Sequence, residues 1–360
     1  MADLIKARQL AEQVRLSEDR PQDGSQNPQD YLGREQHRDS MLRHGVLISE
    51  QMTPDIEARL TEVCDRLRVP RSSISAFVYS SSEIQADCLM DTPSTCVLRF
   101  TSGLVNLMDS EEFKFVAAHE IGHFLLGHGA CNQYQGEGST ESYMHHRSKE
   151  LSADRVGLLG SESLDQSIQA IIKTASGLSE KVIRFDISKF LSQSELLSNP
   201  SRGESHNSTH PSMLIRCRAL IWFGMEIKDM GGLSSMSVEA KQKIDRRVVK
   251  DLERFVDGQS RAQKKEIEDD ILLWKLCVLI VAEGSFQKDL QDRIKKSLGE
   301  QLVDQVKNFF SLFPADELMN ESVKRLEEVL NQLMKNFPSD AQLIENRAFE
   351  SAYSLVNQRT

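Results

Sequence analysis

The sequence predicts an α+β protein, in which a mainly helical domain with a small mixed sheet is followed by an all-α C-terminal bundle. Residues 74–80 and 96–101 are rich in β-branched and aromatic side chains and predict two strands. Most of the remaining chain places apolar residues at the spacing of an amphipathic helix, and beyond Gly232 this spacing dominates. A chain of 360 residues is long enough for two domains.

The first 44 residues predict a helix and a flexible linker. The helix covers residues 1–17, and its apolar positions are Leu4, Ile5, Leu10 and Val14. Residues 17–40 are rich in Asp, Gln, Arg, Asn, Pro and Gly, a composition typical of linkers. We therefore divide the chain into an N-terminal helix with linker (1–44), a central domain (45–231) and a helical C-terminal domain of unknown role (232–360).

The central domain is predicted to begin with a helix, to continue through the two strands and to end in a series of helices. The predicted helices cover residues 53–67, 109–127, a segment around Glu150, 168–178, 187–197 and 211–223. Polar residues at 132–142 and 198–207 predict loops, and we expect the second loop near the mouth of a cleft.

The C-terminal domain shows helical periodicity throughout and no metal or nucleophile motif in its sequence. The predicted helices cover residues 238–257, 264–283, 286–298, 300–310 and 321–335. We expect a separate helical bundle that recognises a protein partner, covers a cleft or stabilises the fold. The sequence leaves these three roles open.

A histidine pair with an adjacent glutamate is the most informative feature of the central domain. His119-Glu120-Ile121-Gly122-His123 reads HExxH. On a helix the two histidines are about 400° apart, so both imidazoles leave the same face and can bind one zinc ion. Glu120 points roughly 100° away, where it can act as a general base toward a water bound to that zinc. The alternative is that both histidines are ordinary core residues.

The flanking sequence predicts a helix around this motif. Asp109 is a suitable N-cap, and Glu112 completes a capping box. Gly127 and Gly129 supply the signal that ends the helix. The apolar positions recur at helical spacing and give a buried or half-buried face: Phe113, Val116, Ala117, Ile121, Phe124 and Leu125.

A catalytic zinc site needs at least a third protein ligand. His128 follows His119 by nine residues, roughly 180° round an uninterrupted helix, so we expect it to be a helix cap or a surface residue. Leu126 and Gly129 stand where the metzincin class of zinc proteases has glycine and histidine. The sequence therefore excludes that class.

Downstream carboxylates offer the missing ligand. Glu150 and Asp154 are four residues apart and therefore share one helical face. Glu150 would bind the metal, and Asp154 would accept a hydrogen bond from a ligand histidine, which we expect to be His119. The alternatives are a solvated acidic face without a metal, or ligands from the neighbouring polar stretch, His145 and His146.

Further motifs along the chain strengthen the case for a metal site. The HExxH motif is followed by Glu-x-x-Ala-Asp at residues 150–154, and residues 97–105 read as a strand, a turn and a helix entry. Residues 208–212 read Ser-Thr-His-Pro-Ser, with Arg216 shortly after. Together these segments resemble the zinc metallopeptidase family typified by HtpX and the CAAX prenyl proteases, in the gluzincin clan. The resemblance covers roughly residues 45–225 and implies a zincin-type catalytic domain.

The resemblance implies a role for each matching residue. His119, His123 and Glu150 correspond to the ligands of one zinc ion (Zn2+) per chain. Glu120 corresponds to the catalytic base. His210 corresponds to a histidine near the metal that steadies the oxyanion, although a His-Pro pair is as readily a turn or a helix cap.

The resemblance also implies contacts around the ligands. Arg216 is expected to pair with Asp154. The segment that matches the family's substrate-binding edge strand consists of Ala86, Asp87, Cys88 and Leu89. Gln85 and this segment depart from the family's Asn-Ala-Phe-Ala pattern, so we expect a different substrate preference.

The function that the resemblance implies is that of a soluble zinc-dependent endopeptidase, which hydrolyses peptide bonds through a zinc-bound water and a glutamate base. Two alternatives remain open. The chain could be a latent or regulatory metallopeptidase-like module whose helical C-terminal domain binds a protein partner. It could also be a zinc hydrolase that acts on nonpeptide carbonyl groups.

Composition bounds the partners and the location. A net charge of −10 argues against a nucleic-acid partner. The longest apolar run, residues 271–282, is interrupted by Lys275 and is shorter than the about 20 residues that span a bilayer, so we expect no transmembrane segment. The sequence shows no signal peptide, and its six cysteines lack paired spacing. These features predict a cytoplasmic protein with reduced thiols.

Overall fold

The computed structural model describes residues 2–19, 34–129, 138–196, 207–284 and 286–357. The chain divides into two compact units, and the predicted α+β fold class is confirmed. The first unit comprises Met1–Gln133 and Met144–Val256, and the second comprises Tyr134–Tyr143 and Asp257–Thr360. Residues 1–44 and 232–256, which the sequence analysis separates from the central domain, thus belong to the first unit.

The first unit is built mainly from helices. Their bounds are α1 Ala2–Val14, α2 Glu35–His44, α3 Pro54–Leu67, α4 Ser102–Leu107, α5 Ser110–Leu126, α6 Thr140–Ser161, α7 Leu164–Ser176, α8 Ile187–Ser192, α9 Met213–Asp229 and α10 Val238–Leu252. The first residues of α6 belong to the second unit, and the rest of that helix belongs to the first. Buried side chains of α10, Ile244, Val248 and Leu252, join the core of the first unit, which explains why residues 232–256 cluster with it.

A four-stranded mixed sheet completes the first unit. The strands are β1 Gly45–Leu47, β2 Ile74–Tyr79, β3 Ala86–Thr92 and β4 Thr95–Thr101, in the spatial order β1-β2-β4-β3. β2 and β4 are parallel, whereas the two outer pairings are antiparallel. β3 therefore lies at one edge of the sheet.

Two helices lie where the sequence predicts none. α2 occupies part of the segment predicted to be a linker, and α15 (Ala341–Asn357) follows the last predicted helix. Residues 20–33 of that linker lie outside the described residues, as do residues 132–137 and 198–206 of the two predicted loops. Three of the five buried positions on α15 are alanines, so its apolar periodicity is weak in the sequence.

The helix that carries the HExxH motif, α5, is almost completely enclosed. The Asp109 carboxylate accepts hydrogen bonds from the backbone of Glu111 and Glu112 at 2.9 Å each. In return the Glu112 carboxylate accepts one from the backbone of Asp109 at 2.8 Å, so the predicted capping box is confirmed. α5 ends at Gly127, whose φ of 72° is the left-handed conformation of a helix C-cap.

Small residues let α6 cross α5 at close range. A Cβ atom on Gly122 of α5 would lie 3.0 Å from Cβ of Val156 and 3.3 Å from Cα of Ala153. A Cβ atom on Gly160 of α6 would lie 2.3 Å from Cβ of Ala118, which is shorter than any normal contact. The crossing therefore requires glycine at position 160 and leaves little room for a side chain at position 122. It brings the middle of α6 against the histidines of α5.

The second unit is helical in the residues described. Its helices are α11 Gly258–Glu283, α12 Lys288–Leu298, α13 Glu300–Leu312, α14 Leu318–Asn336 and α15. α11 packs against α14 and α15, and the core that they share with α12 and α13 includes Leu276, Ile280, Ile294 and Val306. None of the helices in the described part of the chain is both long and apolar enough to cross a membrane.

Candidate metal centre

The candidate metal centre lies where α5 faces α6. The Nε2 atoms of His119 and His123 are 3.1 Å apart. The two carboxylate oxygens of Glu150 lie 3.5 Å from Nε2 of His119 and 3.4 Å from Nε2 of His123. Across the described residues, these three side chains form the one group of three or more potential metal ligands, and His145 and His146 lie outside it.

The spacing of these atoms fits a single divalent metal ion. Metal–ligand bonds of about 2.0–2.2 Å in a tetrahedral arrangement hold neighbouring ligand atoms about 3.3–3.6 Å apart. The separation of 3.1 Å between the two Nε2 atoms is close to those values, and each Nε2 has a Glu150 oxygen, a different one in each case, at 3.4 or 3.5 Å. One ligand atom from each residue can be chosen so that all three lie within 4.8 Å of one another. Two imidazoles and one carboxylate are also a donor set that leaves a coordination position open for water or substrate.

The side of the centre at His119 is held by Asp154 and Arg216. Asp154 Oδ1 lies 3.0 Å from Nδ1 of His119. Arg216 donates two hydrogen bonds to the same carboxylate, at 2.6 and 2.9 Å. Burial opposes ionisation of Asp154, but Arg216 outweighs burial and lowers the pKa of the carboxyl. An ionised carboxylate can only accept, so Nδ1 of His119 carries the hydrogen and Nε2 keeps its lone pair for a metal.

The side of the centre at His123 is held by His128. The expectation of a cap is met by the backbone N–H of His128, which donates to the carbonyl of His123 at 2.9 Å, but the expectation of a surface position is wrong. The His128 side chain is only 5% exposed, and its Nδ1 lies 2.8 Å from Nδ1 of His123. Its Nε2 lies 3.0 Å from the carboxylate of Asp19. The helical angle does not apply to His128 because α5 has already ended at Gly127, where the chain turns back over the last turn of the helix.

Asp19 is a functional candidate that the sequence analysis did not identify. It lies in the polar segment predicted to be a linker, yet it is 2% exposed. Its carboxylate contacts Nη1 of Arg15 at 3.2 Å as well as His128. Burial lowers the pKa of His128 to about 4, so at neutral pH this imidazole is uncharged and has one hydrogen to donate.

The electrostatics of the centre favour a cation among the ligand atoms. Burial opposes protonation of His119, but hydrogen bonds to Asp154 and Glu150 outweigh it and raise the pKa of His119 to about 10. Burial likewise opposes ionisation of Glu150, but the two histidines hold the pKa of that carboxyl well below its usual range. The three ligand atoms therefore share either a proton or a metal ion.

Glu120 lies next to the ligands on α5 and outside their cluster. It is 8% exposed. Burial raises the pKa of its carboxyl, and the neighbouring His119 and His123 oppose that rise. A carboxylate whose pKa is raised is a stronger base, which suits a residue that accepts a proton.

His210 lies beside Glu150 at the surface of the first unit. Its Nε2 is 3.6 Å from a Glu150 oxygen, and its side chain is 64% exposed. Nδ1 of His210 lies 2.9 Å from the hydroxyl of Thr209. The N-cap position of α9 is occupied by Ser212, so His210 is not the cap of that helix.

The edge strand β3 runs against α5. Ala86 and Cys88 pack on the core that includes α5, whereas Leu89 packs on the opposite face of the sheet. Asp87 forms a bidentate ion pair with Arg99 of β4 at 2.7 and 3.0 Å. In the described residues β3 pairs with β4 alone, so its other edge offers backbone groups beside the metal centre.

Parts of the chain are similar to known metallopeptidases. Residues 50–145 match the model of peptidase family M48. A chloroplast protein of Arabidopsis thaliana, the plastoglobule-localized metallopeptidase 48, is 22% identical over 202 residues. That alignment covers 49% of this chain and 58% of the Arabidopsis protein. No solved structure matches the chain. The resemblance to this family of metallopeptidases, first noted in the HExxH and Glu-x-x-Ala-Asp motifs, is confirmed.

Proposed function

We propose that this protein is a zinc-dependent endopeptidase with one Zn2+ per chain. The observation that carries the proposal is the convergence of His119 Nε2, His123 Nε2 and the Glu150 carboxylate within 3.1–3.5 Å of one another. Zinc is the metal we favour because two imidazoles and a carboxylate, with one open position, are typical of catalytic zinc sites. The match to peptidase family M48 supports a peptide bond as the target.

The residues of the chain divide the work of hydrolysis between them. A zinc ion in this site would polarise the scissile carbonyl and lower the pKa of water. Glu120 takes the proton of the attacking water and then delivers it to the leaving amine nitrogen. His210 donates a hydrogen bond to the oxygen that gains negative charge, which its exposed position beside Glu150 supports.

We propose that the substrate binds as an extended peptide along β3. Its backbone would pair with Ala86, Asp87, Cys88 and Leu89, because the edge strand offers unpaired N–H and C=O groups. The contact of β3 with α5 supports this proposal, because a peptide bound along β3 would lie close to the helix that carries the two histidines. Arg99 neutralises Asp87 on one face of the strand, so we expect no strong preference for basic side chains there.

Replacement of the base tests the proposal. Glu120→Gln keeps the size and polarity of the side chain but removes its basicity, so we expect full zinc content and a loss of about 10²–10⁴-fold in peptide hydrolysis. Zinc content and cleavage of a peptide library, measured on both proteins, provide the test. Undiminished cleavage by the variant would refute the assigned base, and wild-type protein that binds no zinc would refute the metal.

A second function is favoured by the burial of the site. His119, Glu120 and Glu150 are each at most 9% exposed, which is compatible with a latent metallopeptidase-like module whose C-terminal domain binds a protein partner. Removal of residues 257–360 tests this, and the cut falls there because α10 belongs to the core of the first unit. A large rise in hydrolysis would indicate latency, whereas unchanged hydrolysis would favour the endopeptidase without such regulation.

The location of the protein stays a prediction. The sequence favours the cytoplasm, whereas the name of the Arabidopsis protein places that protein in chloroplasts, at plastoglobules. The chain spans 58% of the length of that protein. The substrates and partners of this chain are therefore proposals.

A further inference from the structure

A chain of hydrogen bonds runs from the N-terminal segment to one of the metal ligands. Nε2 of His128 lies 3.0 Å from Oδ2 of Asp19, and Nδ1 of His128 lies 2.8 Å from Nδ1 of His123. A carboxylate can only accept, so Nε2 of His128 carries a hydrogen. A metal ion bound at Nε2 of His123 would leave the hydrogen of that ring on Nδ1, from which it donates to Nδ1 of His128.

The N-terminal segment that carries Asp19 is anchored to the helices of the site. Arg15 contacts Asp19 at 3.2 Å and donates to the backbone oxygen of Leu126 at 2.8 Å, at the end of α5. The backbone N–H of Leu16 donates to the hydroxyl of Ser152 on α6 at 3.0 Å. The position of the Asp19 carboxylate is therefore fixed by both helices that supply the metal ligands.

We infer that His128 and Asp19 form a positioning relay that sets the tautomer and ring orientation of His123, so that the N-terminal segment is a working part of the metal site. The inference rests on the proposed metal centre. In the relay His123 contacts the imidazole of His128, which in turn contacts the buried carboxylate of Asp19. His119, in contrast, contacts the carboxylate of Asp154 directly. Neither Asp19 nor His128 belongs to the ligand cluster. His128 contacts it at Nδ1 of His123 and Asp19 contacts His128, so both act through His123.

Zinc affinity tests the relay without reliance on catalysis. Loss of a hydrogen-bond partner behind a ligand histidine typically weakens metal binding by about 10- to 100-fold. We therefore expect Asp19→Asn and His128→Phe each to raise the zinc dissociation constant by about that factor in competition with a chelator. The double variant should bind zinc no more weakly than the weaker-binding single variant, because the two residues act through one contact.

Matched variants separate positioning from folding. Glu12→Gln lies in the same segment and contacts Arg15, but its side chain is 48% exposed and does not contact His128, so we expect zinc affinity within about two-fold of the wild type. Asp154→Asn should weaken zinc binding and so serves as a positive control. The absorption spectrum of the cobalt-substituted protein should shift in Asp19→Asn, a change that mere loss of stability does not produce.

Several outcomes are decisive. Unchanged zinc affinity and an unchanged cobalt spectrum in both Asp19→Asn and His128→Phe would overturn the relay while the metal centre stands. If the wild type binds no zinc, the proposed function fails and the relay with it. If a variant does not fold, imidazole ¹⁵N spectra of the zinc-loaded wild type still decide, since the relay requires hydrogen on Nδ1 of His123 and on Nε2 of His128. The opposite tautomer of either ring would contradict it.

Discussion

The two ligand histidines of α5 occupy differently built sides of the same metal centre. His119 is held by Asp154, which is fixed in turn by a bidentate contact from Arg216. His123 is held by His128, behind which lie Asp19 and a single contact from Arg15. Both sides leave Nε2 free toward the metal, but one uses residues of α6 and α9 and the other uses the N-terminal segment.

This difference shows how one chemical requirement can be met by local or by distant parts of the chain. A ligand histidine needs an acceptor at its second nitrogen so that the tautomer is fixed. On the His119 side the acceptor lies on α6, one turn after the ligand Glu150. On the His123 side the acceptor is His128, which follows the turn at Gly127. The carboxylate behind His128 belongs to Asp19, 109 residues earlier in the chain.

The largest effect is expected when either ligand histidine is removed. His119→Ala and His123→Ala should each lower zinc affinity more than the roughly 10- to 100-fold loss expected for a residue behind a ligand. His145→Ala is the matched control, since His145 is on α6 but outside the ligand cluster. Chelator competition measures all three. Equal loss in the control would mean that the cluster has been assigned to the wrong residues.

The next effect compares the two arginines that stand behind the site. Arg216→Gln should lower the free energy of unfolding of the metal-free protein by about 3 kcal/mol, because it leaves the buried carboxylate of Asp154 without its bidentate partner. Arg15→Gln should cost about 1–2 kcal/mol, because Arg15 makes one contact with Asp19 at 3.2 Å and Asp19 keeps His128. Urea unfolding measures both, and equal costs would remove this difference between the sides.

A third effect concerns the crossing of α5 and α6. Gly160→Ala places a Cβ atom 2.3 Å from Cβ of Ala118, and such overpacking typically costs about 1–3 kcal/mol. The shift of α6 should move Glu150 and Asp154 but leave His128 in place, because His128 follows α5 directly. Thermal unfolding and zinc affinity are the measurements. Adding Ala118→Gly should restore both, and a failure to do so would show that the two atoms do not set the helix spacing.

Most of the architecture around the site could be predicted from the sequence because its signals are local. The capping box of Asp109 and Glu112 begins α5, and Gly127 ends it. The strands β2 and β4 carry apolar and β-branched side chains that differ clearly from their neighbours. α2 carries only two apolar residues, Met41 and Leu42, so its sequence is not distinguished from a polar linker.

The candidate site divides in the same way between what the sequence could and could not predict. Two of the ligands lie one turn apart on α5, and Glu150 and Asp154 lie one turn apart on α6. The packing of these two helices is therefore enough to bring His119, His123, Glu150 and Asp154 together. For His128 the sequence predicts a cap or a surface position, because the helical angle is extended past the residue at which the helix ends. Asp19 carries no local signal, since only the tertiary contacts of the N-terminal segment show that this polar residue is buried.

Anomalous X-ray diffraction at the zinc edge, from crystals of the zinc-loaded protein, tests the central claim most directly. We expect one zinc peak per chain, bonded by Nε2 of His119, Nε2 of His123 and an oxygen of Glu150. We also expect that Nδ1 of His119 still contacts Asp154 and that Nδ1 of His123 still contacts His128. A peak at another place, or zinc bonded to Nδ1 of His123, would contradict the account.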